Sequence, residues 1–249
     1  RIEHPQSVID LARFGKNAGH PLLGAADYSL VHHCGNGRSA YSFCMCPGGT
    51  VVAAASEPGR VVTNGMSQYS RNERNANSAL VVGITPADYP GNALAGIEFQ
   101  RHWESLAFVA GGSNSGAPAQ LVGDCIAGRA SAALGSALPS YTPGIKLTDL
   151  AGCLPEFAVV ALREALPAFG KQIRGFDMND ALLTGVEPRT SSPVRVTRGD
   201  DFQSINTRGL YPAGEGAGYA GGIFSAAIDG IKVAEALALD LVKSTGSEH

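Results

Sequence analysis

Gly209-Leu210-Tyr211-Pro212-Ala213-Gly214-Glu215-Gly216-Ala217-Gly218-Tyr219-Ala220-Gly221-Gly222 is the stretch on which the reading of this chain turns. Within it, Gly216 to Gly221 spells G-x-G-x-x-G, a spacing that lets a backbone approach a phosphate or a ring at a helix N-terminus. Upstream, Gly209 to Ala213 reads as a short buried strand. Downstream, Ile223 to Val242 reads as a long, mostly apolar helix. Its polar residues Asp229, Lys232, Asp240 and Lys243 fall near one stripe, so most of its circumference is expected to be buried. A complete dinucleotide-binding unit needs a second strand after this helix, ending in a ribose-binding acid. Too few residues follow Val242 to supply one. Taken alone, the pattern fits a glycine-rich helix start with or without a ligand.

Working outward, the rest of the chain is globular in composition. Of 249 residues, 44% are hydrophobic and 16% charged. The 32 glycines sit in short clusters between apolar runs, as tight backbone sites rather than a low-complexity tract. Net charge is -3 and no Lys/Arg run occurs, which argues against nucleic acid as a partner. No apolar stretch is long enough to span a bilayer. No signal peptide is read. The five cysteines show no disulfide-framework spacing, so a reducing cytoplasm is expected. The chain opens on Arg1 rather than Met, as an excised piece of a longer protein would, and Glu248-His249 could include a tag remnant.

The expected fold class is α+β or α/β. Residues 1–30 read as a lead-in segment with a short helix at Val8 to Phe14. Residues 31–195 read as a substrate-side domain, β-rich over 39–84 and helical over 93–173. Residues 196–249 read as a closing strand and helix. Strands are expected at Tyr41 to Cys46, Thr50 to Ala55, Arg60 to Thr63, Ala79 to Ile84, Ala181 to Val186 and Val194 to Thr197. Pro58-Gly59 fits the centre of a type II turn. Helices are expected at Ala93 to Ala110, with an apolar face of Leu94, Ile97, Trp103, Leu106 and Val109, at Ala119 to Arg129, and at Pro155 to Leu166, where Pro167 should end or kink the helix.

Several motifs together resemble an uncharacterised family of bacterial FAD-dependent dehydrogenases. They are Tyr41-Ser42-Phe43-Cys44-Met45-Cys46-Pro47-Gly48-Gly49, Ser56-Glu57, Asn64-Gly65-Met66-Ser67, Asn75-Ala76-Asn77-Ser78-Ala79 and Thr184-Gly185-Val186-Glu187-Pro188-Arg189-Thr190-Ser191-Ser192-Pro193-Val194-Arg195. The glycine-rich run is similar to the C-terminal flavin motif of two-dinucleotide-domain flavoproteins. The resemblance implies FAD as cofactor and Gly214, Glu215, Gly216, Gly218, Tyr219, Gly221, Gly222 and Ile223 as cofactor-binding residues. Glu215 would accept from the ribityl hydroxyls, and the N–H groups of Gly221, Gly222 and Ile223 would face the flavin N1/O2 edge. A helix N-terminus there stabilises the charge of reduced flavin by roughly 0.3–2 kcal/mol. It also implies that the N-terminal Rossmann half, absent from this chain, is the partner that completes the site, so FAD binding by this piece alone should be weak or absent.

Other candidates keep two readings each. Cys44-x-Cys46, with Cys34 and His32-His33 upstream, could be a metal or redox pair, but zinc usually wants C-x-x-C and four ligands. A pocket-lining or conformational role is the better reading, and no metal site is expected. Tyr69, Arg71, Asn75 and Asn77 lie in what reads as a polar loop after a strand, able to hold an anionic small-molecule substrate or simply to be solvated. Arg189 and Arg195 could clamp a carboxylate or phosphate, or one of them could pair with Glu187. His4, His20 and His102 read as structural or exposed. No G-x-S-x-G elbow and no Walker A loop occurs. The leading expectation is a fragment of an FAD-dependent oxidoreductase, inactive alone. The rival is a non-catalytic ligand-binding or interaction domain of flavoprotein-like shape.

Overall fold

The computed structural model describes residues 1–246. The possible tag remnant at Glu248-His249 lies outside the described residues. The chain divides into two compact units: Arg1–Thr85 with Gln100–Pro188, and Pro86–Phe99 with Arg189–His249. The class is α+β.

The first unit is built on a mostly antiparallel sheet of eight strands. In chain order they are β1 (Ile2–Pro5), β2 (Val31–His33), β3 (Ser39–Ala53), β4 (Thr63–Ser67), β5 (Asn75–Val82), β6 (Ala117–Leu121), β7 (Ile145–Leu147) and β8 (Leu182–Thr184). The spatial order is β2-β3-β5-β1-β8-β6-β7, with β4 also on β3; only β6 and β7 run parallel. Residues 2–5, read from the sequence as part of a lead-in, are a central strand. Glu3 and His4 hide it from a hydrophobicity reading, because both are fully buried polar residues.

Helices α1 (Gln6–Phe14), α2 (Ala95–Ala110), α3 (Val122–Ala127) and α4 (Glu156–Gln172) occur along this part of the chain. α4 continues past Pro167 to Gln172, so the proline does not end the helix. Its buried residues Ala158, Val159, Ala161, Ala165, Leu166 and Phe169 lie on both sides of the proline, and their burial offsets the roughly 3 kcal/mol that an interior proline costs. Ala119 to Arg129 is half strand and half helix: β6 ends at Leu121, and α3 closes at Gly128 in the left-handed conformation (φ 69°). The segment 93–173 therefore carries strands as well as helices. Of the apolar face expected on α2, Ile97, Trp103 and Leu106 are partly buried, with Leu106 against the core, whereas Val109, and Leu94 just before the helix, are exposed. Glu104 and Ala107 are fully buried.

The strand candidates around Tyr41 and Thr50 are one strand, the fifteen-residue β3. Val61 and Val62 are buried but precede β4, which starts only at Thr63. Gly59 has φ 69°, as the type II turn at Pro58-Gly59 requires. The core gathers around Phe176, with Phe169 edge-on at 5.6 Å, Tyr28 edge-on at 5.3 Å and His4 tilted at 4.7 Å.

In the second unit, α5 (Ile223–Gly246) forms as expected, but two strands do not. Val194 to Thr197 and Gly209 to Ala213 join no ladder; only isolated bridges Arg198–Ser204 and Ser204–Thr207 occur nearby. Left-handed Gly209 (φ 78°) and Gly214 (φ 68°) turn the chain at both ends of the second segment, and Leu210 N–H bonds back to the Thr207 carbonyl. The glycine-rich run thus follows turns rather than a strand. The expected burial of α5 also fails. Val233 is buried, whereas Ile223, Phe224, Ile228, Ile231, Leu239, Leu241 and Val242 are exposed.

Candidate functional site

β3 carries its most reactive side chains where its pairing breaks. Phe43 opposes Ala79, Cys46 opposes Asn77 and Gly49 opposes Asn75, so three steps along β3 match two along β5, twice in succession. Each mismatch is a β-bulge, which re-aims side chains. Cys44 sits in the first bulge, exposed and at φ 44°. A residue other than glycine pays roughly 1–2 kcal/mol for that conformation, so the surroundings must hold it there.

Arg1 does the holding. Its guanidinium is fully buried and donates from Nη2 to the Cys44 carbonyl at 2.6 Å and to Cys46 Sγ at 3.6 Å. Its Nη1 donates to both carboxylate oxygens of Glu187, at 3.0 and 3.3 Å. Gly65 makes room for this arrangement: a Cβ there would lie 2.2 Å from Arg1 Nη2 and 2.4 Å from Asn77 Oδ1. Around the same point, Arg1 Nε, both amide atoms of Asn77 and Thr184 Oγ1 are buried without a hydrogen-bond partner. Such groups cost roughly 1–3 kcal/mol each when unsatisfied, and they mark a polar spot fit to receive a ligand group or solvent. Burial pushes the Cys46 thiol pKa up, the nearby Arg1 only partly opposing it. That upward shift disfavours the thiolate at Cys46.

The neighbouring candidates divide. Asn75 and Asn77 are not in a loop; both lie in β5 and are buried. Asn75 Nδ2 donates to Glu3 Oε2 and the Leu138 carbonyl, both at 2.8 Å. Glu3 also accepts from the N–H and hydroxyl of Ser140. Asn75 is therefore structural, and Asn77 is the one at the polar spot. Tyr69 and Arg71 do lie in an exposed loop. Arg71 has φ 48°, and its carbonyl comes so close to Gly48 that a Cβ there would sit 1.9 Å away.

Glu187 pairs with Arg1, a partner that the sequence reading did not consider. Arg195 donates from Nε to the Gly218 carbonyl at 3.2 Å and stacks over the Tyr219 ring at 4.5 Å. In the second unit Arg198 binds Asp229 in a fork at 2.9 and 2.5 Å and lies 3.8 Å over Tyr219. Asp229 also accepts from the Gly214 N–H at 2.8 Å. Arg198 and this N–H hold the Asp229 carboxyl at a pKa of about 2.

Within the glycine-rich run, Gly218 is required by its own chain: φ is 81° and a Cβ would meet the Val194 carbonyl at 2.7 Å. Gly216 is not, for nothing lies within 4 Å of its Cβ position. Gly221 and Gly222 would meet only serine hydroxyls, at 3.4 and 3.7 Å. Glu215 is exposed and makes no side-chain hydrogen bond or ion pair among the described residues. Of the three N–H groups expected at the helix start, that of Gly222 already bonds Ser225 Oγ at 3.2 Å. The first N–H groups of α5 have no intrahelical partner.

A sequence model described as "FAD-dependent protein, C-terminal domain-like" matches residues 1–190. The chain belongs to that family. A relative from Clostridium beijerinckii (strain ATCC 51743 / NCIMB 8052), an "Uncharacterized protein", is 57% identical over 237 residues, which are 94% of this chain and 44% of the relative. The chain thus spans less than half the length of that relative. For this FAD-dependent C-terminal domain, the match covers β1 to β8, with the bulged Cys44–Gly49 ridge, Arg1, Asn77 and Glu187. It ends before the glycine-rich run. Sequence reasoning missed Arg1, Glu3, Gly65 and Thr184, because their roles depend on β1 lying between β5 and β8. It missed Arg198 and Asp229 as a pair because thirty-one residues separate them. The five cysteines are free, and among the described residues no helix is long and apolar enough to cross a membrane.

Proposed function

We propose that this chain is the substrate-side part of an FAD-dependent oxidoreductase, a dehydrogenase, whose segment Gly214 to Ile223 returns to one edge of the flavin. The observation that carries this reading is the open glycine surface at Gly216, Gly221 and Gly222, with an unengaged Glu215 beside a helix N-terminus. Glycines without a packing reason in their own chain leave room for a ring or ribityl chain to approach the backbone.

Gly214, Glu215, Gly216, Gly218, Tyr219, Gly221, Gly222 and Ile223 are the residues that would hold FAD. When bound, FAD supplies the hydride or electron chemistry. Glu215 accepts hydrogen bonds, and the free N–H groups at Gly221 and Ile223 stabilise negative charge. Tyr219 is the aromatic residue of the segment, kept in place by Arg195 and Arg198. On the substrate side, Cys44 and Cys46 with Asn77 line the polar spot, and Arg71, Tyr69 and Arg189 are candidates for orienting a small anionic substrate. The partner is the N-terminal half of the same protein, and the apolar surface of α5 is what that half would cover. The free cysteines fit a reducing cytoplasm.

The test is made on the intact protein. It should purify with bound FAD, and Glu215→Ala should lower flavin retention tenfold or more without unfolding. Unchanged retention would remove Glu215 from the site. Intact protein that never binds flavin would leave only the non-catalytic binding domain.

A further inference from the structure

Cys34 and its neighbours play no part in the site described above, yet they form a compact group of unlike donors. β2 carries His32, and the turn that follows carries Cys34, two residues on. α4 presents Glu164 to both. His32 Nε2 lies 2.9 Å from Glu164 Oε1, and the imidazole nitrogen, the thiol sulfur and the carboxylate oxygen all lie within 4.8 Å of one another.

The group is held from several directions. The Gly35 N–H bonds both oxygens of Glu164, at 3.1 and 3.0 Å, which fixes the carboxylate. Asn36 Nδ2 donates to the Phe157 carbonyl at 3.1 Å, and Gln172 Nε2 donates to the Val31 carbonyl at 3.3 Å. The start of β2 and the turn after it are thereby tied to opposite ends of α4. Cys34 is buried, its thiol making a long 3.5 Å bond to the Ala161 carbonyl, whereas His32 is half-buried and Glu164 exposed.

We propose that His32, Cys34 and Glu164 form a binding site for one thiophilic divalent cation, with zinc the best fit. The nitrogen, sulfur and oxygen donors suit a borderline-soft ion, and hard ions such as magnesium disfavour sulfur. A thiolate and a carboxylate balance the two positive charges. Zinc–sulfur and zinc–nitrogen bonds of about 2.3 and 2.0 Å put tetrahedral ligands about 3.5 Å apart, so the His32–Glu164 pair, at 2.9 Å, opens by roughly 0.5 Å and the thiol moves in by about 1 Å. Three protein ligands leave the fourth, solvent-facing position to water.

The experiment uses the intact protein, stripped with chelator and titrated with cobalt(II) and then zinc(II). One equivalent of cobalt should give a thiolate-to-metal charge-transfer band in the near ultraviolet, and zinc should displace it. Cys34→Ser should abolish the band, and Glu164→Gln should weaken cobalt binding tenfold or more. His33→Ala, whose ring bonds Ser39 Oγ outside the group, should change nothing. No charge-transfer band in the wild-type protein would overturn the proposal. So would a band that survives Cys34→Ser but is lost in Cys44→Ser or Cys46→Ser, since the metal would then sit on the other cysteines. If circular dichroism shows that Cys34→Ser does not fold, Glu164→Gln at a partly exposed position decides alone: unchanged affinity overturns the site.

Discussion

Gly48, Gly49 and Gly65 stand where a Cβ would meet protein atoms at 1.9, 2.5 and 2.2 Å, whereas at Gly216 it would meet nothing within 4 Å. The two regions look alike as sequence, each a glycine-rich break in an apolar run. Their glycines do different work. On the bulged ridge of β3 and its partner β4, absent side chains let backbone and Arg1 close up within the chain. In the run before α5, Gly214 and Gly218 serve the chain's own turns, while Gly216, Gly221 and Gly222 leave surface that the chain does not use. A packed glycine belongs to the fold, and an open one beside a helix N-terminus is available to a ligand.

An alanine at each kind of glycine should have opposite consequences. Gly48→Ala adds a clash with the Arg71 carbonyl at a positive φ (45°) and should destabilise the protein by about 3 kcal/mol or more. A urea midpoint that hardly moves would mean that the ridge is not packed as described.

Acid should then separate the two regions. Burial lowers the His4 pKa from 6.5 to about 4, against the raising effect of its bond to the Phe176 carbonyl. The unfolded chain therefore binds this proton more readily. The associated stability is full above about pH 6.5 and falls as pH drops toward 4, by about 3 kcal/mol in all. His4→Asn should flatten that part of the pH profile in urea unfolding. Asp229, in the second unit, is depressed from 3.8 to about 2. Its contribution is present above 3.8 and is lost only as pH falls from there toward 2.

Breaking the Arg198–Asp229 fork gives a smaller effect. Asp229→Asn should cost about 1–2 kcal/mol and loosen Gly214, visible as faster amide exchange at that residue. The smallest effect on stability is expected at Gly216→Ala, within about 0.5 kcal/mol, while flavin retention by the intact protein should fall. If stability falls as much as in Gly48→Ala, the open surface at Gly216 is a misreading.

Much of the β-rich region was legible in the sequence. The turn at Pro58-Gly59, the pairing segments around Tyr41 and Ala79, and the helices α2, α4 and α5 follow from periodicity and turn chemistry. The central strand was not legible, because Ile2-Glu3-His4-Pro5 buries its polar residues against partners far along the chain: Ser140 for Glu3 and Phe176 for His4. At the candidate site, Cys44, Cys46 and Asn77 could be singled out by type. Arg1 and Thr184 could not, since no local pattern marks a residue whose partners lie more than 180 positions away. The strand read at Gly209 to Ala213 failed for the converse reason. An apolar run becomes a strand only where a neighbour completes its hydrogen bonds, and here the flanking glycines turn the chain instead.

By itself the sequence determined a mixed α/β content, the family resemblance, the turn at Pro58-Gly59 and the positions of the long helices, because each rests on patterns within a few residues. Only the tertiary structure decided that Asn75 braces Glu3 while Asn77 remains at the polar spot, that Glu187 answers Arg1, that Pro167 is carried inside α4, and that His32 and Cys34 meet Glu164. Each of these depends on side chains brought together across the sheet or onto α4, where burial and partner geometry outweigh local preference.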